Sequence, residues 1–147
     1  MCIRDRVSFA VDEGPGLDMD EIRSAAREKV EQIVGKYLDS VRELDSNNAN
    51  RALWDLVTEE DLELSEELWL EAAKVAEKAA GKIKVTSDPA SKANTLDTAA
   101  HLYHNGGNLD KAIKLQELAV ELNPSSNLGE YLRALKFTKK EAAIELE

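Results

Sequence analysis

The chain is poor in cysteine, proline, glycine and aromatic residues, and each shortage excludes a class of protein. Cys2 is the only cysteine among 147 residues, so an internal disulfide, a CxxC redox pair and a thiolate metal cluster are excluded. Three prolines and seven glycines fall mostly at predicted helix boundaries, which is typical of an all-helical chain. No apolar run approaches the roughly 20 residues that cross a bilayer, so the sequence predicts no membrane insertion.

Basic residues are also scarce relative to acidic ones. The chain carries 19 lysines and arginines against 29 aspartates and glutamates, for a net charge of -10. This charge repels phosphate backbones and anionic lipids, so nucleic acid and membrane surfaces are excluded as predicted partners. A hydrophobic fraction of 43% with 5% aromatic residues is ordinary for a soluble helical protein of one domain.

The first 17 residues are predicted to form an irregular arm. Residues 1–6 resemble the translated adapter sequence found at the ends of some shotgun-assembled reading frames, so we expect them to be artefactual and the true start to be missing. Val7 to Val11 has strand character, and two interpretations remain open: the last strand of a lost upstream domain, or a frayed terminal arm. No signal peptide is present, and the compartment, cytoplasmic or periplasmic, is left open.

Residues 18–140 are predicted to form a single helical domain, followed by a C-terminal tail over residues 141–147 that either extends the last helix or frays. Apolar residues recur at steps of three or four through this region, which keeps one apolar stripe on each helix. Ser65 and Pro89 are start signals, whereas Gly81 and Pro124 mark ends. Six helices are predicted, over residues 18–44, 49–57, 66–81, 89–104, 109–122 and 127–139.

Two features upstream have alternative interpretations. Trp54 is predicted to pack against a neighbouring helix, with a ring that stacks on a ligand as the alternative. Seven acidic residues and no basic one lie between Glu59 and Glu71. This run is predicted to form a solvated face, with an acidic docking surface for a basic partner as the alternative.

The segment from Ala93 to Ser126 predicts two amphipathic helices folded into a hairpin by a glycine turn. Small residues at helical spacing allow two helix backbones to approach closely, and larger apolar residues fill the remaining space. A hairpin alone cannot bury this face, so it implies a stacked helical array and protein interaction. The small residues are Ala99, Ala100, Ala112 and Ala119, and the larger ones are Leu96, Tyr103, Ile113 and Leu122.

This hairpin resembles a tetratricopeptide repeat, a unit of about 34 residues recognised by small and large residues at fixed offsets. Leu96 stands where tryptophan is usual, Ala99 where leucine is usual and Gln116 where an aromatic residue is usual, which suggests a divergent or terminal repeat. The resemblance implies a non-catalytic module that binds a protein or an extended peptide. The eight repeat positions are occupied by Leu96, Ala99, Ala100, Tyr103, Gly107, Ala112, Ala119 and Pro124.

A narrower likeness involves the helical C-terminal extensions of some bacterial thioredoxin-like proteins. Those regions also carry an asparagine-rich start and an upstream tryptophan, as Asn47, Asn48 and Trp54 do here. The likeness implies, as an alternative, the tail of a truncated thiol-disulfide oxidoreductase whose catalytic domain is missing. It rests on a run made of Leu96, Asp97, Thr98, Tyr103, Gly107, Lys111, Ala112, Ile113 and Gln116.

Four residues of the fourth predicted helix are the candidate contact residues: Asn94, Asp97, His101 and His104. The last three share one helix face, and the tetratricopeptide resemblance places that face and Asn94 on the peptide-binding surface. A metal site through Asp97, His101 and His104 is an alternative, because carboxylate and imidazole groups are zinc ligands. Since a carboxylate favours protonated histidine, we also expect partner binding to respond to mild acidification.

Catalytic motifs are absent from the sequence. No glycine-rich phosphate loop follows a strand, no GxSxG elbow occurs, and no cysteine offers a dependable nucleophile. The sequence therefore predicts an all-α fold of antiparallel helical hairpins stacked as a short superhelix of about six helices. We expect a non-catalytic interaction or scaffold module without a cofactor, with a structural bundle that binds nothing as a further alternative.

Overall fold

The computed structural model describes residues 27–59 and 62–145, and this part of the chain consists of helices and their connections. The all-α prediction is confirmed there, because six helices pack against one another and no strand occurs among these residues. The arm, the strand predicted at Val7 to Val11 and the start of the helix predicted from Asp18 lie outside the described residues. The helices are α1 (Arg27–Val41), α2 (Ser46–Thr58), α3 (Glu66–Gly81), α4 (Pro89–Asn105), α5 (Leu109–Leu122) and α6 (Ser126–Glu145).

Side-chain caps set where α2 to α6 begin. The Asp45 carboxylate accepts a hydrogen bond of 2.9 Å from the Asn48 amide N–H, and the Ser65 hydroxyl accepts one of 3.2 Å from the Leu68 amide. Such caps satisfy amide groups that have no partner within their own helix. The prediction of Ser65 as the cap of α3 is confirmed. The capping residues in chain order are Asp45, Ser65, Asp88, Asn108 and Ser125.

The predicted end of α1 and the predicted start of α2 were wrong. Helix α1 ends at Val41 rather than at residue 44, and residues 42–44 form a turn. Helix α2 begins at Ser46 rather than at residue 49, because Asp45 and not a later asparagine is its cap and accepts a hydrogen bond from the Asn48 amide. Helix α6 continues to Glu145, so the start of the predicted tail extends the last helix, since the residues after 139 contain neither glycine nor proline. Within the described chain, none of the helices combines the length and the apolar character that a membrane span requires.

Helix α4 lies at the centre of the fold and packs against α2, α3 and α5. Its contact with α5 forms the predicted hairpin, and the four alanines at this contact have no exposed surface. The prediction that small residues let the two backbones approach is therefore confirmed. Six of the eight repeat positions are buried, namely Leu96, Ala99, Ala100, Tyr103, Ala112 and Ala119, whereas Gly107 and Pro124 lie in connections.

The two glycines between α4 and α5 have different roles. Gly107 has a φ of +84°, a conformation that side chains other than glycine rarely adopt. Gly106 has a φ of −84°, which residues other than glycine also adopt, so its backbone conformation does not require glycine. A Cβ atom on Gly106 would lie 2.6 Å from the Leu70 Cδ2 atom, so Gly106 allows close approach to α3 instead.

Polar contacts join the end of α3 to the helices on either side. The Ser46 hydroxyl of α2 donates a 2.8 Å hydrogen bond to the Ala79 carbonyl, and the Lys92 ammonium of α4 donates bonds of 2.8 and 2.9 Å to the Ala80 and Ile83 carbonyls. These carbonyls belong to the last turn of α3 and the residues that follow it, where partners within the helix run out. The contacts therefore fix α4, which carries the candidate site, relative to α2 and α3.

Candidate functional site

The four predicted contact residues lie along one side of α4. Asn94 is exposed, whereas Asp97, His101 and His104 are half-buried. Only 16% of the Asp97 side chain and 22% of the His101 side chain are accessible to solvent. Asn94 is consequently the member of the set that is most open to a partner.

His101 is oriented by Asp97, one turn earlier in the same helix. The His101 Nδ1–H group donates a 2.9 Å hydrogen bond to the Asp97 backbone carbonyl, and Nδ1 lies 3.7 Å from the Asp97 Oδ1 atom. A carbonyl oxygen can only accept, so the proton of the neutral ring is on Nδ1. The Nε2 atom of His101 therefore carries the free lone pair.

Two aromatic residues from other helices contact the His101 ring. Tyr131 of α6 stacks on it with ring centroids 3.7 Å apart and planes 5° apart. Trp54 of α2 meets it edge-on, with centroids 5.0 Å apart and planes at 84°. We call Trp54, His101 and Tyr131 the aromatic row. It connects α2, α4 and α6, and it leaves Trp54 36% exposed at one end.

His104 joins the same cluster from the next turn of α4. A 3.3 Å hydrogen bond links its Nδ1 atom to the Tyr131 hydroxyl, with the donor set by the histidine tautomer. Burial lowers the pKa of His104, and repulsion from a charged His101 lowers it further. The expectation that a carboxylate neighbour would favour a protonated histidine was therefore wrong for His104.

Burial also changes the pKa of Asp97. Desolvation raises the pKa of the Asp97 carboxyl, while attraction to His101 and a hydrogen bond from Gln116 of α5 act in the opposite direction. Gln116 is fully buried, and its Nε2–H group donates a 3.1 Å hydrogen bond to the Leu128 carbonyl at the start of α6. Its Oε1 atom has no hydrogen-bond partner among the described residues. Gln116 thus connects the hairpin to α6.

The metal alternative is not supported by this arrangement. Among the described residues, no group of three or more histidine, cysteine, aspartate or glutamate side chains is placed to hold a metal ion. Asp97, His101 and His104 share a helix face but do not form such a group, and the hydrogen bonds of the two Nδ1 atoms leave only the Nε2 atom of each ring as a candidate ligand. Three ligand side chains on the same face of a helix therefore do not by themselves converge on one metal ion.

Sequence reasoning did not include Trp54 and Tyr131 among the contact residues. Trp54 does contact a neighbouring helix as predicted, but more than a third of its surface stays open. The sequence did contain one indication that Trp54 is exposed, because Trp54 lies outside the apolar stripe of α2. The buried residues of that stripe are Ala49, Ala52, Leu53 and Leu56. No comparable signal marked Tyr131, because it belongs to the apolar side of α6.

A groove of about 700 Å³ lies elsewhere, between α1 and α3. None of the four predicted contact residues lines it, and its walls mix apolar and charged side chains. Its charged lining includes Lys74, Lys78 and Lys82 together with Glu31 and Glu71. The sequence analysis did not predict this groove, because it depends on the distance between two helices that are far apart in the sequence.

Comparison of the chain with models of protein families, with curated proteins and with solved structures finds no match in any of the three. The tetratricopeptide resemblance therefore stays a prediction from the sequence, as does the likeness to thioredoxin-like extensions. The geometry of the aromatic row and of the α4 face supplies the basis for a functional proposal.

Proposed function

We propose that the chain is a non-catalytic, tetratricopeptide-like module that binds an extended segment of a partner protein. The proposal rests chiefly on the aromatic row, in which side chains from α2, α4 and α6 form one continuous set of contacts. Three helices that each contribute to one surface offer an extended peptide contacts along several residues. An exposed tryptophan at the end of such a surface is a frequent anchor for a protein partner.

Each contact residue has a distinct expected role. The exposed Asn94 lies on the α4 side that carries His101, two turns earlier, and its amide can both donate to and accept from a peptide backbone. Trp54 supplies apolar area for a partner side chain. Asp97 and His104 act mainly by orienting His101 and Tyr131, since both are half-buried and already in contact with them.

Peptide selection tests this proposal directly. A random peptide library displayed on phage is selected against the immobilised full chain, and selected peptides are measured by fluorescence anisotropy. We expect Trp54→Ala and Asn94→Ala each to weaken binding by about tenfold, as expected for anchor residues. Lys114→Ala is the matched control, because Lys114 is exposed on α5 and takes no part in the aromatic row.

Circular dichroism of each variant confirms that its helix content is unchanged. Selected peptides that bind Trp54→Ala and Asn94→Ala as tightly as the wild-type chain would place the binding surface elsewhere and contradict the proposal. Failure to select any peptide at high protein density would also contradict it.

A further inference from the structure

Helix α6 has an exposed stripe on the side opposite its buried side. Leu128 and Leu135 are buried toward the rest of the fold, but Phe137 is 61% exposed and Ile144 is 59% exposed. At 3.6 residues per turn, Phe137 and Ile144 are two turns apart and therefore lie on one line along the helix. The outer stripe of α6 consists of Glu130, Arg133, Phe137, Lys140, Glu141 and Ile144, all of which are exposed.

The charges of the outer stripe are separated by sign. Helical geometry places Arg133 and Lys140 along one edge of the line through Phe137, and Glu130 and Glu141 along the other edge. None of these four residues has an ion-pair partner within the described chain. By contrast, Lys136 and Lys139, on the side toward α5, pair with Glu117 and Asp110 at 3.3 and 2.8 Å.

This separation of charge lets two copies of α6 face each other with opposite charges in contact, but only when the two helices are parallel. When two copies of α6 lie side by side and parallel, related by a two-fold axis along the helices, the basic edge of each faces the acidic edge of the other. Lys140 then lies opposite Glu141 of the second copy, displaced along the helix axis by the rise of one residue, about 1.5 Å. Phe137 of one copy contacts Phe137 of the other, and Ile144 contacts Ile144. An antiparallel pair would instead bring each basic edge against a basic edge.

From this geometry we infer that the outer stripe of α6 is a homodimerisation surface that pairs in parallel with the same stripe of a second copy. Apolar contact at Phe137 and Ile144 drives the association, and the charged edges set its orientation. A single helix pair buries less than a standard interface of about 1,600 Å², so the dimer is weak and forms between about 10 μM and 1 mM chain. The surface is separate from the α4 face.

Sedimentation equilibrium of the full chain over that concentration range tests dimer formation. We expect the apparent mass to rise from that of one chain toward that of two, and Phe137→Ser to abolish the rise. Leu118→Ser is the matched control, because Leu118 is an exposed apolar residue of α5, outside the stripe. A monomer at every concentration overturns the inference, as does a dimer that persists in Phe137→Ser or is lost in Leu118→Ser.

Charge exchange tests the pairing of the edges. Lys140→Glu alone and Glu141→Lys alone each place like charges opposite one another twice per dimer, so each weakens self-association about tenfold. An equimolar mixture of the two variants restores opposite charges at both places, and we expect it to dimerise again. A mixture that stays monomeric while the wild-type chain dimerises overturns the pairing.

Disulfide trapping tests the parallel orientation. In a Cys2→Ser background, Phe137→Cys and Ile144→Cys each place a thiol on the line that meets its own symmetry mate, so each variant alone forms a covalent dimer on oxidation. An antiparallel pair can bring at most one of these two positions onto its mate. Cross-linking at only one of them, or at neither, overturns the parallel arrangement.

Discussion

At the scale of single residues, His101 is the side chain that holds the candidate site together. Its ring is met edge-on by Trp54 and is stacked on Tyr131, and its Nδ1–H group donates a hydrogen bond to the Asp97 carbonyl. Each aromatic contact contributes about 0.5–1.5 kcal/mol beyond the area it buries. Three helices are therefore linked through one imidazole ring.

His104 gives the fold a dependence on pH with a defined sign. Its pKa in the folded chain is lowered from the ordinary 6.5, so the unfolded chain takes up the proton more readily. The stability linked to neutral His104 is complete above the unfolded pKa and is lost as the pH falls toward the folded pKa. We expect the free energy of unfolding to fall more steeply between about pH 7.5 and 5.5 in wild type than in His104→Gln.

Urea denaturation at several pH values measures this difference. Asp97 acts with the opposite sign, because its raised pKa makes its contribution largest at low pH, but it is present in both chains and cancels in the comparison. Parallel pH profiles of the two chains would show that His104 has no such role.

The four candidate contact residues were placed on one helix correctly from the sequence, and residues three and four apart lie together on one face of any α-helix. Their partners were not predictable in the same way. The stacking of His101 on Tyr131 joins residues 30 positions apart in the sequence, from α4 and α6, and depends on how those helices cross. Burial of His104 has the same origin, which explains why the expected direction of its pKa shift was wrong.

At the scale of helices, two glycine-to-alanine substitutions distinguish the contribution of helix propensity to stability from the contribution of packing between helices. Gly106→Ala would place a methyl group against the Leu70 side chain, and we expect it to lower the free energy of unfolding by about 1–3 kcal/mol. Gly35→Ala lies in the middle of α1 with nothing within 4 Å of the added methyl. It should therefore raise the free energy of unfolding by about 0.5–1 kcal/mol.

Chemical denaturation of both variants distinguishes the two effects, with Gly35→Ala as the control for simple helix propensity. The two variants are expected to change the free energy of unfolding in opposite directions. If Gly106→Ala stabilised the protein, the distance between the α4–α5 turn and α3 would have to be larger than in the structure.

Most helix starts were easier to predict than the ends, and the start of α2 is the exception. Starts depend on short-range caps such as Ser65 and Asp88, which can be read from neighbouring residues. The end of α6 has no such signal, because charged and alanine residues after Lys139 continue a helix as readily as they form a tail. The close approach of Gly106 to Leu70 was also invisible, since it requires α3 and α4 to be in place.

At the scale of the whole molecule, the excess of acidic residues acts against compactness. A net charge of -10 makes the folded chain repel itself, while surface pairs such as Arg42 with Glu71 are exposed and contribute little. We expect the melting temperature to rise by a few degrees between about 20 and 300 mM NaCl, because salt screens this repulsion over roughly 10 Å.

Differential scanning calorimetry measures the effect. The matched control is the same series near the isoelectric point of about 4.8, where the net charge vanishes and the rise should disappear. A melting temperature that falls with salt at neutral pH would instead assign a net stabilising role to the surface ion pairs.

The difference in exposure between the two tryptophans also gives the protein an optical signal of its own. Trp69 is buried, whereas Trp54 is 36% exposed, so the two indoles differ in solvent contact and in emission wavelength. The red-shifted part of the emission comes from Trp54, whose ring lies 5.0 Å from that of His101. It therefore reports the arrival of any molecule at Trp54, without an attached dye.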